Sequence, residues 1–358
     1  MNNIARIQEA LARQELDAIL LTNEKNQRYA TGFAFTDGAV VVGREKAWLL
    51  TDSRYIEAAE KVAGGCCELR MFDREHSLAE LIRGALAACG GAVAAEEDSL
   101  SFERWTALEK QLGVRFAPSK GLMTELRASK NDEEIAAMIR AQRISEKALE
   151  EVLHIIRPGM TEKEIMAELV YHMLKNGSEG NSFDPIVVTG ANTSLPHGVP
   201  GDTVVKEGDF LTMDFGSLSS GYCSDMTRTV AVGSATEEMR NVYGIVLEAQ
   251  LAGIAAARSG IPGSVIDKAA RDVIEKAGYG EYFGHGFGHS LGLDIHEPPS
   301  AGPRGEALMA ENDLCSAEPG IYLPGRFGVR IEDVMILRPD GAEVITKAPK
   351  MELIVLNN

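Results

Sequence analysis

The chain has 358 residues and a net charge of −17, from 53 acidic and 36 basic side chains. Its 45% hydrophobic and 25% charged content is that of a globular protein with two domains, or one large one. The acid excess argues against a nucleic-acid binder, which needs clustered Lys and Arg, and against docking on an anionic membrane; no apolar run approaches the roughly 18 residues of a membrane helix.

The opening Met1-Asn2-Asn3-Ile4 lacks the basic-then-apolar order of a secretion signal. Apolar residues then recur at helical spacing over Ile4–Glu15, and Asp17–Leu21 reads as a short buried strand. Ala39–Val42 and Trp48–Thr51 read as two strands joined by the turn Gly43-Arg44-Glu45-Lys46. Ser77–Ala88 is expected to be helical, Ala92–Ala95 a strand and Phe102–Leu112 a helix. The alternation defines an α/β domain, placed at residues 1–124. It holds no glycine-rich phosphate loop and no cluster of histidines or carboxylates, so it is expected to shape or cover a site, or to contact another subunit. The five cysteines are Cys66, Cys67, Cys89, Cys223 and Cys315, an odd number with no Cys-x-x-Cys spacing. Reduced thiols and a cytoplasmic location are the expectation.

A boundary is expected near Thr124–Asp132, so that a second domain spans 125–358. The polar stretch Ser129–Glu134 offers an N-cap and first-turn acids for a long helix running to about Ile156. Arg157-Pro158-Gly159-Met160, then Ile165, then Lys175-Asn176-Gly177 recurs 101 residues later as Arg258-Ser259-Gly260-Ile261, Ile266 and Lys276-Ala277-Gly278. Each copy follows a long helix and opens another that ends at glycine. The reading is two similar α+β halves with a site where they meet.

Chemistry-bearing residues gather after residue 200. In Phe210–Gly216, Asp214 lies on the strand face opposite Leu211, Met213 and Phe215. A turn centred on Ser219-Ser220 would set Asp214 directly against Asp225; a one-step shift would pair Asp214 with Thr227 and keep Asp225 close. Glu318 and Glu332 are equidistant from Gly325 in the turn Leu323-Pro324-Gly325-Arg326, so a hairpin there brings them face to face. Facing carboxylates repel unless one is protonated or a cation lies between them. His285-Gly286-Phe287-Gly288-His289 through His296 holds three of the seven histidines in twelve residues, and His197 lies in a Pro-Gly loop. Four carboxylates and one imidazole would suit two hard divalent cations. Such a pair, with a bridging water ionised near neutral pH, is equipment for amide hydrolysis without a serine or cysteine nucleophile.

The order Asp214, Asp225, His289, Glu318, Glu332, with gaps of 11, 64, 29 and 14 residues, resembles the pita-bread metallopeptidases, in particular the prolidase and aminopeptidase P branch. The contexts are Met-Asp-Phe-Gly, Ser-Asp-Met-Thr-Arg-Thr, His-Gly-Phe-Gly-His, Glu-Pro-Gly-Ile-Tyr and Val-Arg-Ile-Glu-Asp. The resemblance covers the whole chain. It implies an α/β N-terminal domain and an α+β pita-bread domain with a pseudo-two-fold repeat. It implies two divalent metals, manganese foremost, with cobalt, zinc or iron as alternatives. Asp214 would chelate one metal, His289 and Glu318 the other, and Asp225 and Glu332 would bridge. His197 and His296 would contact the substrate and help stabilise or protonate the tetrahedral intermediate, His285 would stand at the site wall, and Arg330 would orient a carboxylate. The implied activity is hydrolysis of the Xaa-Pro bond at the N-terminus of dipeptides or short peptides, by a homodimer.

Branch members that cut only dipeptides often place an arginine shortly after the His-Glu-x-Pro stretch; here Ser300 follows, with Arg304 four residues on, which leaves dipeptidase and aminopeptidase P both open. A methionine aminopeptidase would share the five ligands but usually lacks the N-terminal domain, and would cut Met-Ala-Ala rather than Ala-Pro. A creatinase-type enzyme would have lost the metal carboxylates. A non-catalytic peptide-binding module on the same fold would bind no metal.

Overall fold

Residues 2–357 are described by a computed structural model, in which the chain divides between Arg127 and Ala128. In the first unit six strands form one sheet, in the order Glu68–Met71, Ala47–Thr51, Gly38–Gly43, Ala18–Leu21, Val93–Ala95 and Phe116–Pro118. Gly38–Gly43 is antiparallel to both neighbours and the other pairings are parallel. Val42 pairs with Ala47 and Gly43 N–H donates to Lys46 O at 2.8 Å, so the expected tight turn forms. Side chains alternate across a strand. Ala18, Leu20, Ala39, Val41, Trp48 and Leu50 therefore meet Ile82, Ala85, Leu86 and Leu108 of the helices Leu78–Cys89 and Phe102–Leu112. Ile19, Leu21, Val40 and Val42, pointing the other way, are equally buried. Ser77 and Ser101 cap the two helices through the N–H groups of Glu80 and Arg104. The helices Glu24–Thr31, Ile56–Ala63 and Leu122–Ala128 and the strands Glu68–Met71 and Phe116–Pro118 lie outside the expected pattern.

The second unit repeats one helix together with the backbone bonds at its entry. The helices Glu162–Lys175 and Gly263–Lys276 begin and end at positions 101 residues apart. Gly159 and Gly260 precede them, and Gly177 and Gly278 follow them, all at positive φ between +76° and +99°. Gly159 N–H donates to Val205 O and Gly260 N–H to Met309 O; Lys163 and Ser264 repeat the match with Gly201 and Gly305. Each half adds a longer helix, Asp132–Leu153 or Glu237–Ala256, and a sheet. The first sheet runs Val355–Leu356, Met226–Val232, Phe210–Phe215, Ile186–Thr189; the second runs Glu297–Ala301, Gly288–Ser290, Leu314–Ala317, Asp333–Arg338, Gly341–Val344. In the first half Leu149, Val152, Ile165 and Leu169 pack on Leu211, Met213, Phe215 and Val230. In the second, Val242, Val246, Ile266 and Ala270 join one core with Cys315, Ala317, Val329 and Ile331. The strand faces turned away from the first core carry Thr212, Asp214, Thr227 and Thr229, all buried.

Candidate active site

The first carboxylates come from a hairpin whose register is set by its turn. Phe210–Phe215 runs antiparallel to Met226–Val232 with Asp214 opposite Thr227. The register continues through Ser224 N–H on Ser217 O, at 2.9 Å, to Ser219 opposite Tyr222. The turn is therefore Ser220-Gly221, at φ +52° and +75°, and not Ser219-Ser220. A two-residue hairpin turn favours two consecutive positive φ values, and glycine at the second supplies one at no steric cost. The direct opposition of Asp214 and Asp225 is accordingly corrected to a diagonal one: Asp225 faces Gly216. A Cβ on Gly216 would lie 1.9 Å from Ser224 O.

The second pair follows the expected geometry. Gly320–Leu323 pairs with Phe327–Arg330 around Gly325, at φ +71°, with Gly320 opposite Arg330. Beyond a gap in the ladder, Ala317 pairs with Asp333 in the same register. Glu318 and Glu332 stand opposite one another in that gap. Thr227 Oγ1 donates to Glu332 Oε2 at 2.7 Å and accepts Arg330 Nε at 3.0 Å. Arg330 also donates to an Asp214 carboxylate oxygen, to Tyr322 Oη at 2.9 Å and to Pro196 O at 3.1 Å.

His289 comes from the strand Gly288–Ser290. Its Nδ1 lies 3.1 Å from Ser290 O, which can only accept, so Nδ1 carries the proton. The Nε2 lone pair then faces Glu318 Oε1 at 3.3 Å and Asp225 Oδ2 at 3.6 Å. His296 stacks edge-on against it, ring centroids 4.3 Å apart. His285 donates from Nδ1 to Gly286 O at 2.9 Å and therefore accepts Tyr322 Oη–H at Nε2, also at 2.9 Å. His197 stands exposed on the wall of the same cavity. That cavity, of about 710 Å³, is lined by all nine residues singled out in the sequence: Asp214, Asp225, His289, Glu318, Glu332, His197, His285, His296 and Arg330. Thr227, Tyr322, Ser316 and Gln250 complete the site and were not singled out. Tyr322 had a signal, since it shares a strand face with Glu318. Ser316 Oγ donates to Glu318 Oε1 at 3.1 Å and accepts His289 N–H at 3.0 Å. Gln250 Nε2 donates to Ala317 O and Ile331 O, at 2.9 and 3.1 Å.

The donor set calls for cations. Asp225, His289 and Glu332 offer atoms all within 4.8 Å of one another. Asp214 Oδ1 and Asp225 Oδ1 are buried without a hydrogen-bond partner, an arrangement that costs free energy unless something positive meets it. Burial, and then the neighbouring carboxylates, pushes the Asp225 and Glu332 carboxyls well above the usual range; burial also raises Glu318, against the lowering effect of His285 and Arg330. Burial lowers His285, His289 and His296, which favours neutral imidazoles. Buried carboxylate oxygens, two of them without a partner, and a lone-pair nitrogen fit divalent metal.

Fold and site together define a metal-dependent peptidase. Residues 136–339 match Metallopeptidase family M24 and residues 3–129 match the Creatinase/Prolidase N-terminal domain. The chain is 41% identical to the solved structure of an Xaa-Pro dipeptidase from Bacillus anthracis, with 99% of each chain covered and a TM-score of 0.93. An X-Pro aminopeptidase structure from Thermotoga maritima is 35% identical, covers 97% of this chain and 99% of its own, and gives a TM-score of 0.91. The Xaa-Pro dipeptidase of Pyrococcus horikoshii is 32% identical over 97% of both chains. The chain belongs to metallopeptidase family M24 and is an enzyme of that class. Among the described residues no helix is long and apolar enough to cross a membrane.

Proposed function

We propose that this protein is an Xaa-Pro exopeptidase with two divalent metals, manganese foremost, that cuts the bond before proline in dipeptides or short peptides. The observation that carries the reading is the convergence of four carboxylates and one imidazole on a single cavity, two of the carboxylates with orphaned oxygens. Asp214 would hold one metal and His289 and Glu318 the other, with Asp225 and Glu332 serving both. When bound, the cations supply Lewis acidity and an activated water.

The protein's own residues do the rest. Arg330 fixes Asp214, and Thr227 fixes Glu332. His296, whose imidazole partial desolvation holds below its ordinary range and so favours as neutral, offers an N–H to the substrate carbonyl and to the negative charge that develops on it. His197 contacts the same substrate. His285 positions Tyr322 and through it Arg330. Proline suits such a site because its amide lacks an N–H and its φ is fixed, and Phe183, Pro185, Ile186, Val199 and Ile295 give the cavity apolar walls for the ring. Arg304, exposed on the wall of the same cavity, would receive a substrate's free carboxylate. That favours dipeptides. The reading extends to a cytoplasmic homodimer and to domains at 1–124 and 125–358.

The test is hydrolysis by metal-stripped protein reconstituted with manganese, then separately with cobalt or zinc. Ala-Pro, Ala-Pro-Ala, Ala-Ala-Ala and Met-Ala-Ala are the substrates. Cleavage of Ala-Pro alone is expected. Cleavage of Ala-Pro-Ala at its first bond would make it an aminopeptidase P, and cleavage of Met-Ala-Ala with Ala-Pro untouched would overturn the proline assignment.

A further inference from the structure

Glu162 opens the helix Glu162–Lys175, and it is fully buried. A buried carboxylate calls for a cation or several donors. Among the described residues Glu162 forms no ion pair. Instead Oε1 accepts Thr189 N–H at 2.8 Å and Asn192 Nδ2–H at 2.9 Å, and Oε2 accepts Gly201 N–H at 2.8 Å. Thr189 and Gly201 bracket the segment 190–200, and Asn192 lies inside it. That segment carries His197.

The residues around His197 have few other ties. The segment's own main-chain bonds are local, Leu195 N–H to Asn192 O and Gly198 N–H to Leu195 O. Its larger apolar side chains, Leu195 and Val199, are 55% and 85% exposed. Three outside ties remain, Gly328 N–H on Thr193 Oγ1 at 2.8 Å, Asn192 Nδ2–H on Thr203 Oγ1 at 3.0 Å and Arg330 on Pro196 O. The other half uses the same device. On the helix Gly263–Lys276, Asp267 accepts Phe287 N–H at 2.9 Å and pairs with Arg271, which donates to Phe283 O and His285 O.

We infer that Glu162 is a positioning residue for His197: one buried carboxylate ties both ends of the histidine's loop to the helix and so fixes where the imidazole meets the substrate. The inference rests on the reading of His197 as a substrate contact. A side-chain displacement of about 1 Å can cost a large factor in rate, so the effect belongs in kcat.

The test is a cycle of four proteins: wild type, Glu162→Gln, His197→Ala and the double variant, each loaded with manganese and assayed on Ala-Pro. Glutamine keeps one acceptor and sets an NH2 against a backbone N–H. Glu162→Gln is expected to lower kcat about tenfold with metal content unchanged. In the His197→Ala background the same substitution should change kcat less than about twofold, because the group it positions is gone. An equal loss in both backgrounds, or none in wild type, overturns the inference. If His197→Ala itself turns over like wild type, the substrate-contact reading fails first, and the inference falls with it. Should Glu162→Gln not fold, Asn192→Ala withdraws one donor from the same carboxylate together with its bond to Thr203 Oγ1, and Thr203→Val removes that second bond alone; about a threefold loss for Asn192→Ala that vanishes without His197 is expected, and a loss that persists, or one that Thr203→Val reproduces in full, refutes it.

Discussion

Replacing Thr227 with valine removes one hydroxyl from the centre of the site and little else. Thr227 has no exposed surface; its Oγ1 donates to Glu332 Oε2 at 2.7 Å and accepts Arg330 Nε at 3.0 Å. Hydrogen bonds to charged groups contribute about 1.5–3 kcal/mol each. Arg330 keeps Asp214, Tyr322 and Pro196, so the larger share falls on Glu332. A loss of about 2–4 kcal/mol is expected on that basis. Glu332 is also left free to rotate, and loss of a group that orients a ligand weakens metal affinity roughly 10–100-fold, or about 1.4–2.7 kcal/mol. Urea unfolding gives the first quantity, and competition against a chelator of known affinity the second. Thr229→Val is the matched control. It lies on the same strand face, and its hydroxyl donates to Arg330 O and stands 3.0 Å from Thr212 Oγ1, touching no carboxylate. It should cost about 0.5–1.5 kcal/mol per lost bond and leave metal affinity unchanged. If Thr227→Val binds metal as wild type does, or if Thr229→Val weakens metal equally, the orienting role is refuted.

Asp225→Asn is expected to abolish turnover, since a bridging carboxylate becomes a neutral amide; near-wild-type kcat with full metal content would sink the bridging assignment. In metal-stripped protein the raised carboxyls bear on stability. Their folded-state values exceed the unfolded ones, so their contribution is full below the ordinary carboxylate range and is lost as pH rises through the folded values. The lowered histidines act in the opposite sense, so the readout is a difference: the Tm of stripped Glu332→Gln should gain on stripped wild type as pH is raised, and a constant gap contradicts the repulsion. Arg304→Ala should raise KM for Ala-Pro about tenfold with kcat nearly unchanged, the sign of lost binding rather than lost chemistry; an unaltered KM removes Arg304 from the substrate's carboxylate.

What the sequence showed and hid follows from where each signal resides. The Phe102–Leu112 helix carries its serine cap and glycine stop locally, and the hairpin at Gly43–Lys46 announces itself by alternation. The helix Glu24–Thr31 does not. Its buried face is built from Asn26, Gln27, Tyr29, Ala30 and Thr31, and its start is pinned by Glu96, which accepts Thr22 N–H, Asn23 N–H and Asn26 Nδ2–H. A contact some 70 residues away leaves no period to read. The strand Glu68–Met71 lies at a sheet edge and is mostly exposed, so it lacks an apolar pattern. At the site, residue order and context marked nine of the residues that line the cavity. The one-step error in the first hairpin arose because Ser220 takes a positive φ that serine seldom adopts, moving the turn onto Ser220-Gly221. Gln250 was hidden for a plainer reason: a glutamine in a long helix points to nothing until the strands beside it are known to break.

Those breaks explain why the carboxylates sit where they do. Both hairpins keep one register on either side of a gap, and the gaps hold Asp225 in the first, Glu318 and Glu332 in the second. In this register Glu318 and Glu332 form a non-hydrogen-bonded pair, so their N–H groups point away from one another's strand. Glu318 N–H donates to Phe287 O at 2.7 Å and Glu332 N–H to Thr227 O at 3.1 Å. Phe287 leads into the strand of His289, and Thr227 stands opposite Asp214. The carbonyls at the second gap are closed by Gln250 from its long helix; at the first, Ser145 from the other long helix meets the hydroxyls of Ser217 and Ser224, each at 2.9 Å. Each acid of the second hairpin is thus tied through its backbone to the segment of a neighbouring candidate ligand. The spacing of the cluster is fixed by the main chain before any side-chain torsion is chosen, which is how five acceptors can be held together before a cation is bound.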